Sequence, residues 1–169
     1  MGVFVVDSNF FIQAHRASYP LDVAPSFWKK VKQLADLRKI ISIDKVKNEI
    51  YTHKKELERD DLEIWCRKNL PKDFFKPTTA FVNEYSIVAK WVGSRNTHYK
   101  PAALNNFLQT NEADPWLIAF ALNQKITIVT QEVSAPSSSS SIKIPDVCIA
   151  LDVKFLNTIG LFRALGEKF

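Results

Sequence analysis

Short apolar runs alternate along this chain with longer stretches whose apolar residues recur every three or four positions. Val3-Phe4-Val5-Val6, Ile40-Ile41-Ser42-Ile43 and Ile126-Thr127-Ile128-Val129 are brief, largely β-branched and followed by polar residues, and Val153 to Leu156 is a fourth short run. That pattern predicts strands buried on both faces, as in the middle of a parallel sheet. Helical spacing predicts a helix from Ser8 to about Arg16, and another from Ser26 with Phe27, Trp28, Val31, Leu34 and Ala35 turned inward. Asp44 is the expected N-cap of a helix from Lys45 to about Leu57, and Asp60-Asp61 of one carrying Leu62, Ile64, Trp65 and Leu70. Further helices are predicted from about Thr78 to Val92, behind Asp114-Pro115, within Lys143 to Leu151, and from Thr158 to about Leu165. Strands alternating with helices give an α/β fold with a parallel central sheet and right-handed crossovers. The length of 169 residues fits one domain over 1–169.

Composition adds little to this and excludes a few classes. No apolar run approaches a membrane span, and the N-terminus enters a strand without a basic leader, so a soluble, cytoplasmic protein with no membrane partner is expected. Cys66 and Cys148 lie far apart, lack metal-ligand spacing and sit among apolar residues, which reads as two buried thiols. The net charge of +5 favours an anionic partner without identifying it. Lys29, Lys30 and Lys32 either touch such a partner or form an ordinary solvated face. Ser134 to Ser141 is a serine-rich loop with nothing to bury, expected to be mobile and without a catalytic role.

The candidate chemistry is carboxylate. Asp7 and Glu132 follow predicted core strands, at the sheet edge where ligands bind in open α/β folds. Asp114 and Glu49 lie at or near the starts of helices packing on that sheet. Each acid alone has a plain explanation: a turn, a cap, or a side chain reaching solvent beside an apolar stripe. Gathered together, they would repel and raise one another's pKa unless a cation sat among them. A set of oxygen ligands without His or Cys points to a hard divalent metal, Mg²⁺ or Mn²⁺.

Those motifs resemble the PIN domain, whose metal-dependent ribonucleases include VapC-type toxins. The likeness rests on Val5-Val6-Asp7-Ser8-Asn9, Val46-Lys47-Asn48-Glu49-Ile50, Ala113-Asp114-Pro115-Trp116-Leu117-Ile118-Ala119 and Val129-Thr130-Gln131-Glu132. It is nearest to a PIN-like branch carrying Pro25-Ser26-Phe27-Trp28 and Lys143-Ile144-Pro145-Asp146-Val147-Cys148. The resemblance implies a three-layer α/β/α PIN-like fold with a central parallel sheet of four to five strands. It also implies an endoribonuclease in which Asp7, Glu49, Asp114 and Glu132 are catalytic and hold one or two Mg²⁺ or Mn²⁺ ions. Metal-bound water would attack the phosphodiester in line, and RNA would be read at unpaired bases. A small antitoxin protein and a homodimer are the implied protein partners. Glu132 departs from the usual Asp by one added carbon, and Asp146 is a further acid near the implied pocket. Ser8 and Asn9 hold a ligand or phosphate oxygen, or are simply turn residues.

Two rivals stand beside the nuclease. One is a PIN-like module that binds RNA or protein without cutting it, encouraged by the longer Glu132. The other is a phosphotransfer or phosphatase domain using Asp7 as nucleophile. It wants a neighbouring second Asp and a Lys after a later strand, where this chain has Asn9 and Gln131-Glu132.

Overall fold

The computed structural model describes residues 2–169. Five strands form one parallel sheet in the order β3-β2-β1-β4-β5, where β1 is Phe4–Val6, β2 Ile40–Ile43, β3 Phe75–Lys76, β4 Thr127–Val129 and β5 Phe155–Leu156. Helices α1 (Ser8–Gln13) and α2 (Pro25–Asp36) join β1 to β2, and α3 (Asp44–Ile50) and α4 (Asp61–Asn69) join β2 to β3. Helices α5 (Val82–Ser94), α6 (Pro101–Phe107) and α7 (Ala113–Gln124) lead back to β4. Helix α8 (Ile144–Ala150) precedes β5, and α9 (Thr158–Leu165) closes the described chain. The α/β architecture with a parallel central sheet is the one the alternating pattern predicts.

β1 is central: Val5 and Val6 are fully buried, and Val5 pairs on both sides, opposite Ile41 of β2 and Ile128 of β4. The chain leaves β1 toward β2 and β3, then returns across the sheet to β4 and continues outward to β5. Neighbouring strands β1 and β4 therefore send their crossovers in opposite directions. Their carboxyl ends frame the crevice that this topology leaves open.

One side of the sheet is dressed with aromatic rings: Phe27 of α2 lies within ring contact of Phe10 of α1, Phe162 of α9 and Phe169. Burying side chains of this size contributes about 2 kcal/mol or more each before entropy. α7 packs mainly against α5, and also against α3 and α8. Ala113, Pro115 and Leu117 through Ala121 are all buried, which explains its apolar composition on every face.

The structure departs from the pattern in several places. β3 is a two-residue edge strand that no alternation announces. α3 ends at Ile50, not near Leu57, and Asp44 starts that helix without capping it. The Asp44 carboxylate instead accepts from the Thr78 hydroxyl at 2.8 Å and the Thr78 amide at 3.3 Å, tying α3 to the segment after β3. α7 begins at Ala113 with Glu112 at the N-cap position, so Asp114 and Pro115 lie within its first turn. Asp60 does cap α4, accepting from the Glu63 amide at 2.8 Å.

The serine-rich loop is tied to its surroundings by hydrogen bonds at several points. The Lys100 amide donates to the Ser139 carbonyl at 2.9 Å, and the His98 ring lies 3.0 Å from the Ser138 carbonyl. Asp146, in the first turn of α8, accepts from the Ser134 hydroxyl and the Ala135 amide. Cys66 and Cys148 are free, buried thiols, as expected.

Candidate functional site

Asp7 follows β1 directly and is 1% exposed. Its backbone amide donates to the Val129 carbonyl at 3.0 Å, so the sheet ladder itself fixes where the side chain emerges. Its two carboxylate oxygens accept from different hydroxyls, one from Ser8 at 3.3 Å and the other from Thr130 at 3.1 Å. Burial pushes its pKa up to about 6 against the opposing Thr130 hydrogen bond, with the charges of Glu49 and Glu132 adding to the rise.

Asp114 projects from the first turn of α7 toward the same point. Burial raises its pKa well above the usual carboxylate range, and the charges of Asp7, Glu132, Glu112 and Glu49 all push the same way. Among the described residues no cation and no hydrogen-bond donor is paired with it. A carboxyl left this way near a helix start lacks the compensation that buried acids normally find.

Glu49 comes from the last turn of α3 and is exposed at the mouth of the site. Its pKa is nonetheless raised, first by the protein packed around the carboxyl and then by Glu112, against the Ala113 amide and the Ser8 hydroxyl, whose single proton it shares with Asp7. Glu132 lies two residues past Thr130, whose hydroxyl accepts from the Glu132 amide at 3.1 Å. Its carboxylate is already occupied: one oxygen accepts from the Lys143 ammonium at 3.1 Å, the other from the Ile144 amide at 2.8 Å.

Asp7, Glu49, Asp114 and Glu132, spread over 126 residues of sequence, thus come close enough to act on one another's ionisation. A fifth acid, Glu112, joins them, its pKa raised by burial and by Asp7 and Glu132. Glu112, Asp114, Glu132 and Lys143 line one cavity of about 240 Å³, with Ser140 and Ser141 of the serine loop on its wall. The sequence offered a signal for Glu112 only in its position two residues before Asp114. Asp146 stays out of the cluster, spending its carboxylate on the loop that walls it.

The donor set is chemically right for a hard divalent cation. It consists of oxygens alone, it is crowded with like charge, and Asp114 has a carboxylate to give. Among the described residues no three His, Cys, Asp or Glu side chains stand close enough to grip an ion as they are, so ligation requires side chains to close in. No helix among the described residues is long and apolar enough to cross a membrane.

No curated protein matches the chain. A similar solved structure is the crystal structure of VapBC2 from Rickettsia felis bound to a DNA fragment from their promoter, at 14% identity and a TM-score of 0.48. It covers 92% of this chain and 98% of that one. The family model described as a domain of unknown function, DUF4411, matches residues 4–169, and the chain therefore belongs to the DUF4411 family.

Proposed function

We propose that this protein is a metal-dependent endoribonuclease that hydrolyses RNA phosphodiester bonds. The observation that carries the reading is the convergence of Asp7, Glu49, Glu112 and Asp114 at the switch point between β1 and β4, with Asp114 unpaired. Like charges assembled at this density cost stability without a cation, so the arrangement makes physical sense as a binding site. The sequence resemblance to the PIN domain supports the same reading.

In this mechanism Asp7 and Asp114 would hold Mg²⁺ or Mn²⁺, and Glu49 and Glu112 would complete the anionic rim. When bound, the metal supplies a water acidified enough to attack phosphorus and positive charge for the developing oxyanion. Ser8 and Thr130 fix the rotamer of Asp7 through its two oxygens, so that carboxylate is held at the end of β1, and the other acids would close toward it. Asp114 offers both of its oxygens. A phosphate of the substrate would enter the cavity beside them, whose wall includes Ser140 and Ser141. The net charge of +5 brings a polyanion to the protein before the local acids are met.

As a toxin of a toxin–antitoxin pair, the protein would be restrained by a small antitoxin partner, and it would act as a homodimer in the cytoplasm. The engagement of Glu132 by Lys143 favours one second reading, a module that binds RNA without cutting it. One assay separates them: structured and single-stranded RNA incubated with the protein in Mn²⁺, Mg²⁺ or EDTA, beside Asp7→Asn and Asp114→Asn. Metal-dependent cleavage lost in both variants is the expected result. Cleavage that survives EDTA rejects the mechanism, and RNA binding without cleavage selects the module.

A further inference from the structure

The phrase Lys143-Ile144-Pro145-Asp146-Val147-Cys148 is used almost completely in shaping one corner of the acidic cup. Lys143 gives its ammonium to Glu132, and Ile144 gives its backbone amide to the other Glu132 oxygen. Pro145 sits in the first turn of α8, where its missing N–H costs nothing. Asp146 pins Ser134 and Ala135, holding the serine loop against the cavity that Lys143 lines. Val147 and Cys148 are fully buried and fasten the helix.

The consequence for the acids is a division of the cup. On one side Asp7 is held by neutral donors, the Ser8 and Thr130 hydroxyls and the Ser8 amide, and Asp114 by nothing, so both are available to a cation. On the other, a cation is already present. The Lys143 side chain is 34% exposed and that of Glu132 is 17% exposed, so the pair faces the cavity and is shielded from full solvent screening. An ammonium also excludes a divalent ion from its immediate surroundings by repulsion.

We propose that Lys143 is a resident counter-ion of this site: it takes Glu132 out of metal ligation, so the protein binds a single divalent ion at Asp7 and Asp114, and the Lys143 ammonium occupies the place of a second. Glu132 is then a positioning residue, holding Lys143 and the start of α8. This inference rests on the metal-dependent reading above.

Calorimetric titration of Mn²⁺ into the full-length protein tests it, with Mn²⁺ electron paramagnetic resonance as an independent count of ions. The wild type is expected to bind one ion, and Asp114→Asn to lose that binding at least tenfold. Glu132→Gln, which keeps an oxygen for the Ile144 amide, should bind one ion with affinity within about threefold of wild type. Lys143→Met should acquire a second ion or bind the first at least fivefold more tightly, and Lys143→Arg should behave as wild type. Thermal unfolding of each variant shows whether it is folded. Two ions in the wild type, a tenfold loss in folded Glu132→Gln, or an unchanged titration in folded Lys143→Met would overturn the inference and leave the nuclease reading standing. A wild type that binds no divalent ion would remove both.

Discussion

Asp7 is the residue at which the balance between stability and chemistry can be read with a sign. Its pKa of about 6 in the folded chain lies above its ordinary value of 3.8, so the folded state prefers it protonated. An acid raised in this way contributes no penalty at low pH, where both states carry the proton. The penalty grows as pH rises through the window between the two values and is complete above the folded one, at about 3 kcal/mol as an upper estimate. Asp7→Asn keeps an oxygen for the Thr130 hydroxyl and removes the charge. The metal-free variant is therefore expected to melt several degrees higher than wild type at about pH 8, with the difference shrinking toward about pH 4. Differential scanning calorimetry in EDTA checks this, and a variant less stable than wild type at the alkaline end would refute it. The same substitution should reduce RNA cleavage by roughly 100-fold or more, since the carboxylate is lost where charge is needed. Greater stability and lost activity from one change would mark Asp7 as a site residue whose charge the fold tolerates at a cost.

At the scale of elements, the C-terminus of α3 and the start of α4 are joined by a buried ionic knot that owes nothing to the acidic cup. Glu63 is 1% exposed, and its carboxylate accepts from the Thr52 amide at 3.0 Å, the Thr52 hydroxyl at 2.7 Å and Arg67 at 2.7 Å. Burial alone would raise its pKa, but the Thr52 and Arg67 hydrogen bonds outweigh it and hold the value below the usual range. Glu63→Ala leaves a donor amide and a guanidinium without their acceptor, and is expected to lower stability by about 3 kcal/mol in urea titrations. A loss under about 1 kcal/mol would show that water replaces the carboxylate there. The turns that enter the strands carry a smaller prediction. Arg38, Lys125 and Asp152 each have positive φ, near 55°, between a helix and the next strand. A residue with a β-carbon pays for that conformation, so exposed Lys125→Gly should stabilise by about 1 kcal/mol, measurable in the same titration. These elements also show what a sequence can reveal. β1, β2 and β4 were legible because strands buried on both faces must be apolar throughout. β3 was not, since a two-residue edge strand paired on one side needs no pattern. Asp7 and Glu132 could be singled out because each follows a strand, Asp114 because it sits near a helix start, and Glu49 because it is a carboxylate on the edge of the Val46–Ile50 apolar stripe, although the structure places it in the last turn of α3 and not near its start. Glu112 and the partnership of Glu132 with Lys143 could not, because the first depends on how α7 begins and the second on the path of a serine loop that carries no periodic signal.

Over the whole molecule the two kinds of acid oppose each other as pH changes. Glu63, Asp73 and Glu167 have lowered pKa values and stabilise the fold once ionised, an effect lost as pH falls through those lowered values. Asp7, Glu49, Glu112 and Asp114 have raised values and destabilise it once ionised, an effect relieved as pH falls from the alkaline side. Stability without metal should therefore rise as the solution is taken from about pH 8 toward about pH 5, and fall again below about pH 4 as the paired acids are protonated. A divalent cation reverses only the first limb, because it binds the ionised cup and is displaced by protons. Mn²⁺ is thus expected to raise the melting temperature by several degrees at about pH 8 and by almost nothing at about pH 5, with EDTA abolishing the difference. Monovalent salt at equal ionic strength should not reproduce the effect, since screening by a Debye atmosphere acts weakly on carboxylates as buried as Asp7. A Mn²⁺ shift of equal size at both pH values would place the ion somewhere other than on these acids, and a shift retained in Asp114→Asn would say the same.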